Sequence, residues 1–233
     1  PVLPLKLTTP ARAGTPISAN ATAIIDSIKQ AVTFALSDAV PAIVTNPIAK
    51  AVLYETGFGH QGHTDFLGAL TEHAPYAHSR GPVMMLTAGN LRVALATEHI
   101  PHSKVPADLK TETIVRVARV VNDALRMDYG IAQPRLAIAA LNPHAGESGK
   151  IGDEENRVII PAAKILIDSG INVTGPLPAD SLFHAEARAK ADAVICMYHD
   201  QALIPVKMLD FWGGVNVTLG LPIVRTSPDH GTG

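Results

Sequence analysis

Short apolar, β-rich runs alternate with longer segments of helical period through this 233-residue chain. That alternation restricts the fold to an α/β architecture with a largely parallel sheet. The runs that read as strands are AIVT (42–45), VMMLT (83–87), LRVALAT (91–97), RLAIAAL (135–141), ADAVICMY (191–198) and VNVTL (215–219). Between them, TETIVRVARVVNDALRMDYG puts Ile114, Val117, Val121 and Leu125 on one helical face, with Gly130 as its stop. SANATAIIDSIKQAVTFALSDA carries the stripe Ile24, Ile28, Val32 and Leu36, with Ser18 or Asn20 as cap. A third helix, within 154–169, ends before Gly170, with Pro161 near a bend or in the first turn.

Composition narrows the function classes. With 47% apolar and 17% charged residues the chain reads as compact and globular. A net charge of −2 gives no footing for nucleic acid or an anionic membrane surface. The lone Cys196 excludes an internal disulfide framework and fits a reducing compartment. No signal-like start and no apolar run long enough to span a bilayer is visible, so cytoplasm is the expected location.

The chemistry is concentrated after the strands. LRVALAT runs into Glu98 and His99, RLAIAAL into Asn142-Pro143-His144, and ADAVICMY into His199 and Asp200. In open α/β sheets the carboxyl ends of strands border the ligand crevice, so His99, His144 and His199 are candidates to converge. Three neutral imidazoles suit a divalent metal such as Zn, Co, Ni or Mn with a position left for water or substrate. The alternative is that each histidine hydrogen-bonds within its own loop.

The segment GFGHQGHTDFLG (57–68) has backbone freedom to approach an anion, with His63 and Thr64 as donors; equally, it reads as a turn before a helix capped by Thr64. Lys207, Asn216 and Arg225 lie in a glycine-rich stretch and suit a phosphorylated, carboxylated substrate, or are ordinary surface groups. GESGKIG (146–152) lacks a P-loop ending and leads into a helix with Glu154 and Glu155 in its first turn. No GxGxxG is present, so a standard Rossmann site is not indicated. His73, His78, His102 and His184 lie in polar stretches and receive no role.

Taken in order, GHTD, VALATEH, LNPHAGE, GPLPADSLF, YHDQALIPVK and GVNVTLGLPIVRTSPDHGT closely resemble the 4-hydroxythreonine-4-phosphate dehydrogenase family of pyridoxal phosphate biosynthesis. The resemblance implies an isocitrate/isopropylmalate dehydrogenase-like fold, with two α/β/α domains and the active site in the cleft between them. The expected division is a central domain over 41–207, with 1–40 and 208–233 as parts of a second, discontinuous domain. It implies NAD or NADP as cofactor, a divalent metal (Zn, Co, Mn, Ni or Mg) on His99, His144 and His199, and a homodimer that completes the metal site across its interface. Substrate contacts are implied at His63, Thr64, Lys207, Asn216 and Arg225. Lys207 and Asp200 are the catalytic candidates, Asp200 either transferring a proton or orienting a ligand.

The reaction implied is oxidation of 4-phosphooxy-threonine at C3 to a β-keto acid that loses CO₂ to give 3-amino-2-oxopropyl phosphate. The rivals are a 4-phospho-threonate or erythronate dehydrogenase on the same scaffold, a non-catalytic metal- or ligand-binding module, and a metal-dependent hydrolase. Two departures from the family pattern stand out. An N-terminal glycine-rich region and chain beyond DHGT are absent, so a truncated piece is expected, and the connection at 72–80 is slightly long.

Overall fold

A computed structural model describes residues 2–60 and 62–229. Gln61, within the GFGHQGHTDFLG loop, and 230–233, the end of the DHGT motif, lie outside the described residues. The strands are β1 Ile43–Val44, β2 Val83–Ala88, β3 Leu91–Leu95, β4 Leu136–Ala139, β5 Val173–Leu177, β6 Ala193–Cys196, β7 Val215–Leu219 and β8 Arg225–Pro228. The helices are α1 Ala21–Leu36, α2 Lys50–Tyr54, α3 His63–Thr71, α4 Val105–Asp108, α5 Thr111–Met127, α6 Ile160–Asp168, α7 Ala185–Arg188 and α8 His199–Leu209.

All eight strands form one sheet in the order β1-β8-β7-β2-β3-β6-β4-β5. It is mixed rather than largely parallel: β2 runs antiparallel to both β3 and β7, and β7 antiparallel to β8. The physical reason lies in the connections. Only Gly89-Asn90 joins β2 to β3, with Gly89 at φ 55°, and a two-residue link makes a hairpin, whereas a parallel pair needs a long crossover. The β3-β6-β4-β5 half is parallel and is fed by helical crossovers.

Apolar residues pack both sheet faces. One cluster joins α5 and α6 to Met85, Ile138 and Ile195; the other joins Ala202 and Val206 of α8 to Leu86, Val93 and Cys196. A third cluster, separate from these, gathers Ala21, Ile28, Val32, Leu53, Phe66 and Leu67 with Leu221 and Ile223. On α5, Ile114, Val117, Val121 and Leu125 are all buried, and Gly130 follows at φ 69°.

Several local expectations change. Asn20 precedes α1, but its side chain does not cap the helix; it exchanges hydrogen bonds with the Thr9 backbone at 3.0 and 2.8 Å. Thr64 is not a cap either, because α3 already begins at His63. Pro161 does sit in the first turn of α6, after a π-helical turn at Glu155–Ile159. Two strands were hidden in sequence: β5 contains Gly175-Pro176, and β8 reads RTSP, both compositions that argue against strands.

Candidate active site

Three connections converge on one cavity of about 610 Å³ beside the carboxyl ends of β3 and β6 and the polar strands β7 and β8. From β7, Asn216 and Thr218 project to the same face, two residues apart. Arg225 at the start of β8 is buried, 4% exposed, and lines this cavity. Thr45 Oγ1 accepts from its Nη2 at 2.6 Å and from Nε at 3.2 Å, and Thr218 Oγ1 accepts from Nη1 at 2.9 Å. Among the described residues no carboxylate pairs with this guanidinium. Burial pulls its pKa down to about 10, which leaves it charged at neutral pH. A buried cation held by hydroxyls alone among the described residues has donor capacity and charge suited to an anion.

His63 and Thr64 enter the cavity at the start of α3, where peptide N–H groups point outward and favour negative charge. Burial, Arg225 and Lys50 together push the His63 imidazole down to about 4, so it stands neutral at pH 7 as a hydrogen-bonding group. Lys50, at the start of α2, was not singled out in sequence, yet it lines the same cavity and has no ion pair among the described residues. It follows β1 by way of Thr45 and Asn46, so the strand-end rule that selected His99 points to it as well.

His99 and His199 meet in this cavity, ring centroids 5.6 Å apart. Burial, Lys50 and His199 lower the His99 pKa, favouring the neutral imidazole that can ligate a metal. Behind His199, Asp200 Oδ1 lies 2.7 Å from His199 Nδ1, at the start of α8. Lys207 does not line the cavity. Its ammonium lies 2.7 Å from Asp229 Oδ2, also donates to the Asp229 carbonyl, and sits 5.1 Å from the Phe211 ring centroid.

His144 is not with the other two histidines. It lines a neighbouring cavity of about 560 Å³ together with His102, Tyr198 and Gln201. Among the described residues no group of three or more His, Cys, Asp or Glu side chains is arranged to hold a metal ion. The divergence has two causes. In the sheet order β6 separates β3 from β4, so His199 stands between the others. Directly after β4, residues 144–148 all adopt left-handed backbone, φ 45° to 77°, turning the chain away. Four of these are not glycine, a conformation that costs on the order of 1 kcal/mol per residue and persists only when its surroundings fix it.

Glu155 does the fixing. It is 2% exposed and accepts from the backbone N–H groups of Leu141 at 2.8 Å and Asn142 at 2.7 Å, and from Asn142 Nδ2 at 2.9 Å. It stands in a first turn, as expected, and is also the post that holds the β4 loop.

Glu98 was passed over in sequence. It lines the cavity next to the histidines, and burial raises its pKa against the opposing pull of Arg116, a Met84 backbone hydrogen bond and His199.

A mixed α/β sheet gathers at its strand ends two imidazoles and a buried arginine that has no carboxylate partner among the described residues, an arrangement that suits an enzyme for a small anionic substrate. The chain belongs to the pyridoxal phosphate biosynthetic protein PdxA family, whose model it matches over residues 1–233. It is 59% identical over 233 residues to the 4-hydroxythreonine-4-phosphate dehydrogenase of Caulobacter vibrioides, covering all of this chain and 70% of that protein. The protein of the same name from Maricaulis maris is 54% identical, over 98% of this chain and 67% of its own. The crystal structure of 4-hydroxythreonine-4-phosphate dehydrogenase from Klebsiella pneumoniae superposes with a TM-score of 0.85 at 39% identity, over 95% of this chain and 65% of that one. The chain thus spans about two thirds of the length of these relatives, and the family is one of oxidoreductases.

Proposed function

We propose that this chain catalyses NAD- or NADP-linked oxidation of 4-phosphooxy-L-threonine at C3, giving a β-keto acid that decarboxylates to 3-amino-2-oxopropyl phosphate. The observation that carries this reading is Arg225, buried and without a carboxylate partner among the described residues, in the cavity that holds the His99–His199 pair. Such a group is built for a phosphate or carboxylate close to a polar reaction centre. Lys50 and Arg225 hold the anionic ends of the substrate, with neutral His63 and Thr64 donating hydrogen bonds. Lys207 acts through Asp229, and Asn216 supplies an acceptor.

His99 and His199 fit part of the ligand set of a divalent cation, since both are imidazoles facing one cavity and His99 is biased towards its neutral form. His144 joins the set in a homodimer, so that three histidines from two subunits hold the metal. Bound there, a divalent cation supplies Lewis acidity to the C3 hydroxyl. Asp200 fixes the tautomer of His199 by accepting from Nδ1, which leaves Nε2 free as a ligand. Two lobes flank the cavity. The separate cluster around α1 and α3 supports grouping 41–71 with 1–40 and the end of the chain, rather than placing a boundary at 41. Cytoplasm fits the reading; among the described residues no helix is long and apolar enough to cross a membrane.

The test is formation of NADH or NADPH from 4-phosphooxy-L-threonine, with and without a chelator. Turnover that requires both metal and nicotinamide is expected. Turnover without nicotinamide would point to a hydrolase, and ligand binding without reduced cofactor to a binding module.

A further inference from the structure

We propose that Glu155 is a positioning residue for the metal site of the partner subunit: it aims His144 across the dimer interface, so replacing it disables the opposite site and spares the one in its own chain. The inference rests on the function proposed above, in which three histidines from two subunits hold the metal. Among the described residues the His144 side chain makes no hydrogen bond. It is 69% exposed, and Glu147 Oε1, 3.9 Å from its Nδ1, is beyond reach. An exposed imidazole is ordinary, but the backbone beneath this one is not. His144, Ala145, Glu147 and Ser148 stand at φ 45° to 59°, a left-handed conformation that side chains disfavour. Strain of this kind is kept where function needs one fixed geometry.

Glu155 supplies the fixed points. Its Oε1 accepts from the Leu141 N–H at 2.8 Å and the Asn142 N–H at 2.7 Å, and its Oε2 from Asn142 Nδ2 at 2.9 Å. Beyond His144 the chain returns to the same carboxylate, because a Cβ on Gly146 would come within 2.6 Å of Oε2. His144 therefore stands midway between two residues, Asn142 and Gly146, that are pressed against one buried group. Gly152 closes the flank, since a Cβ there would lie 2.3 Å from Asn142 Nδ2. Glu155 also opens the π-helical turn Glu155–Ile159, an irregularity that recurs at functional sites. It does not line the cavity of His99 and His199 in its own chain. The link that could carry an effect within the chain is Gln201, two residues after His199, which donates to the Ala140 carbonyl at 2.7 Å.

Heterodimers separate the two routes. Two differently tagged chains are co-expressed, purified by both tags and titrated with Co²⁺, alongside the homodimers. The Glu155→Gln homodimer is expected to bind Co²⁺ about 10- to 100-fold more weakly than the wild type, with phosphate affinity unchanged because the Arg225 cavity is intact. Unchanged Co²⁺ affinity overturns the proposal. Paired with His199→Ala, Glu155→Gln leaves one site with both defects and the other with neither, so about half of the tight Co²⁺ sites return. Paired with His144→Ala it spoils both sites, and none returns. The reverse pattern puts the effect of Glu155 in its own chain and overturns the proposal, as does recovery in neither pairing, which marks a damaged fold. Gly146→Ala crowds the same carboxylate from the loop side and is expected to repeat the Glu155→Gln pattern. The pairing of His199→Ala with His144→Ala is the control. Recovery there without the expected Glu155→Gln pattern removes the positioning role alone; no recovery there removes the shared site and the proposal with it.

Discussion

Asp200 Oδ1 lies 2.7 Å from His199 Nδ1, on adjacent residues at the first turn of α8. In the proposed reading the contact leaves one imidazole nitrogen for the cavity and Asp200 orients the ring, the part of YHDQALIPVK that sequence leaves open. Replacing Asp200 by Asn permits the ring to turn and the tautomer to change. A loss of about 10- to 100-fold in metal affinity is expected, with the thermal midpoint little altered because the side chain is exposed. Metal titration of the variant checks it, and unchanged affinity would leave Asp200 without this role.

Arg225 is expected to trade stability for binding. Its guanidinium is buried and, among the described residues, is met only by Thr45 and Thr218 hydroxyls. Arg225→Met is expected to keep or raise folding stability, by on the order of 1 kcal/mol, because an uncompensated charge is removed from the interior. Anion stabilisation is lost in the same variant. Phosphate at ten times its Kd raises wild-type stability by roughly 1.4 kcal/mol and leaves the variant unmoved. Thermal melts with and without phosphate read both effects.

Acid should weaken the fold through His63. Its folded pKa of about 4 lies below the ordinary value of 6.5. Above pH 6.5 the ring is neutral in both states and contributes no pH dependence. As pH falls from 6.5 towards 4, the unfolded chain takes up a proton that the folded chain refuses, so stability declines over that window. Urea unfolding at pH 7 and pH 4.5 should show a smaller drop for His63→Gln than for the wild type.

The left-handed turn at 144–148 depends on Glu155. Removing the carboxylate in Glu155→Ala strands the half-buried N–H groups of Leu141 and Asn142, at an expected cost of about 2 kcal/mol. Gly146→Ala attacks the same post from the other side. A Cβ there would lie 2.6 Å from Glu155 Oε2, on backbone at φ 77° that disfavours side chains. Chemical denaturation of the two variants should give losses that do not add, since both disturb one contact set.

Much of this arrangement is legible in sequence because it follows from period and placement. The stripe of α5 and the strands ending at His99 and His199 are apolar patterns interrupted by polar groups, and those two histidines do meet. What stays hidden is set by tertiary pairing. β8 is polar and contains a proline, yet it is a strand because β7 and β1 lend it a ladder. By residue type Arg225 reads as either a substrate cation or a surface one, and its burial shows only when Thr45, 180 residues away in sequence, is seen to hold it. Lys50 carries no motif and Glu98 sits in VALATEH with no role assigned; only their position after a strand speaks for them. His144 satisfies that same rule and is carried elsewhere by a backbone turn that residue types do not announce.

The most direct test of the central claim is the rate of NADH formation from 4-phosphooxy-L-threonine by the wild type and by His199→Ala, with divalent metal present and the folded state of each verified by circular dichroism. The account predicts chelator-sensitive turnover in the wild type and none in a folded variant. Undiminished turnover by His199→Ala would contradict it.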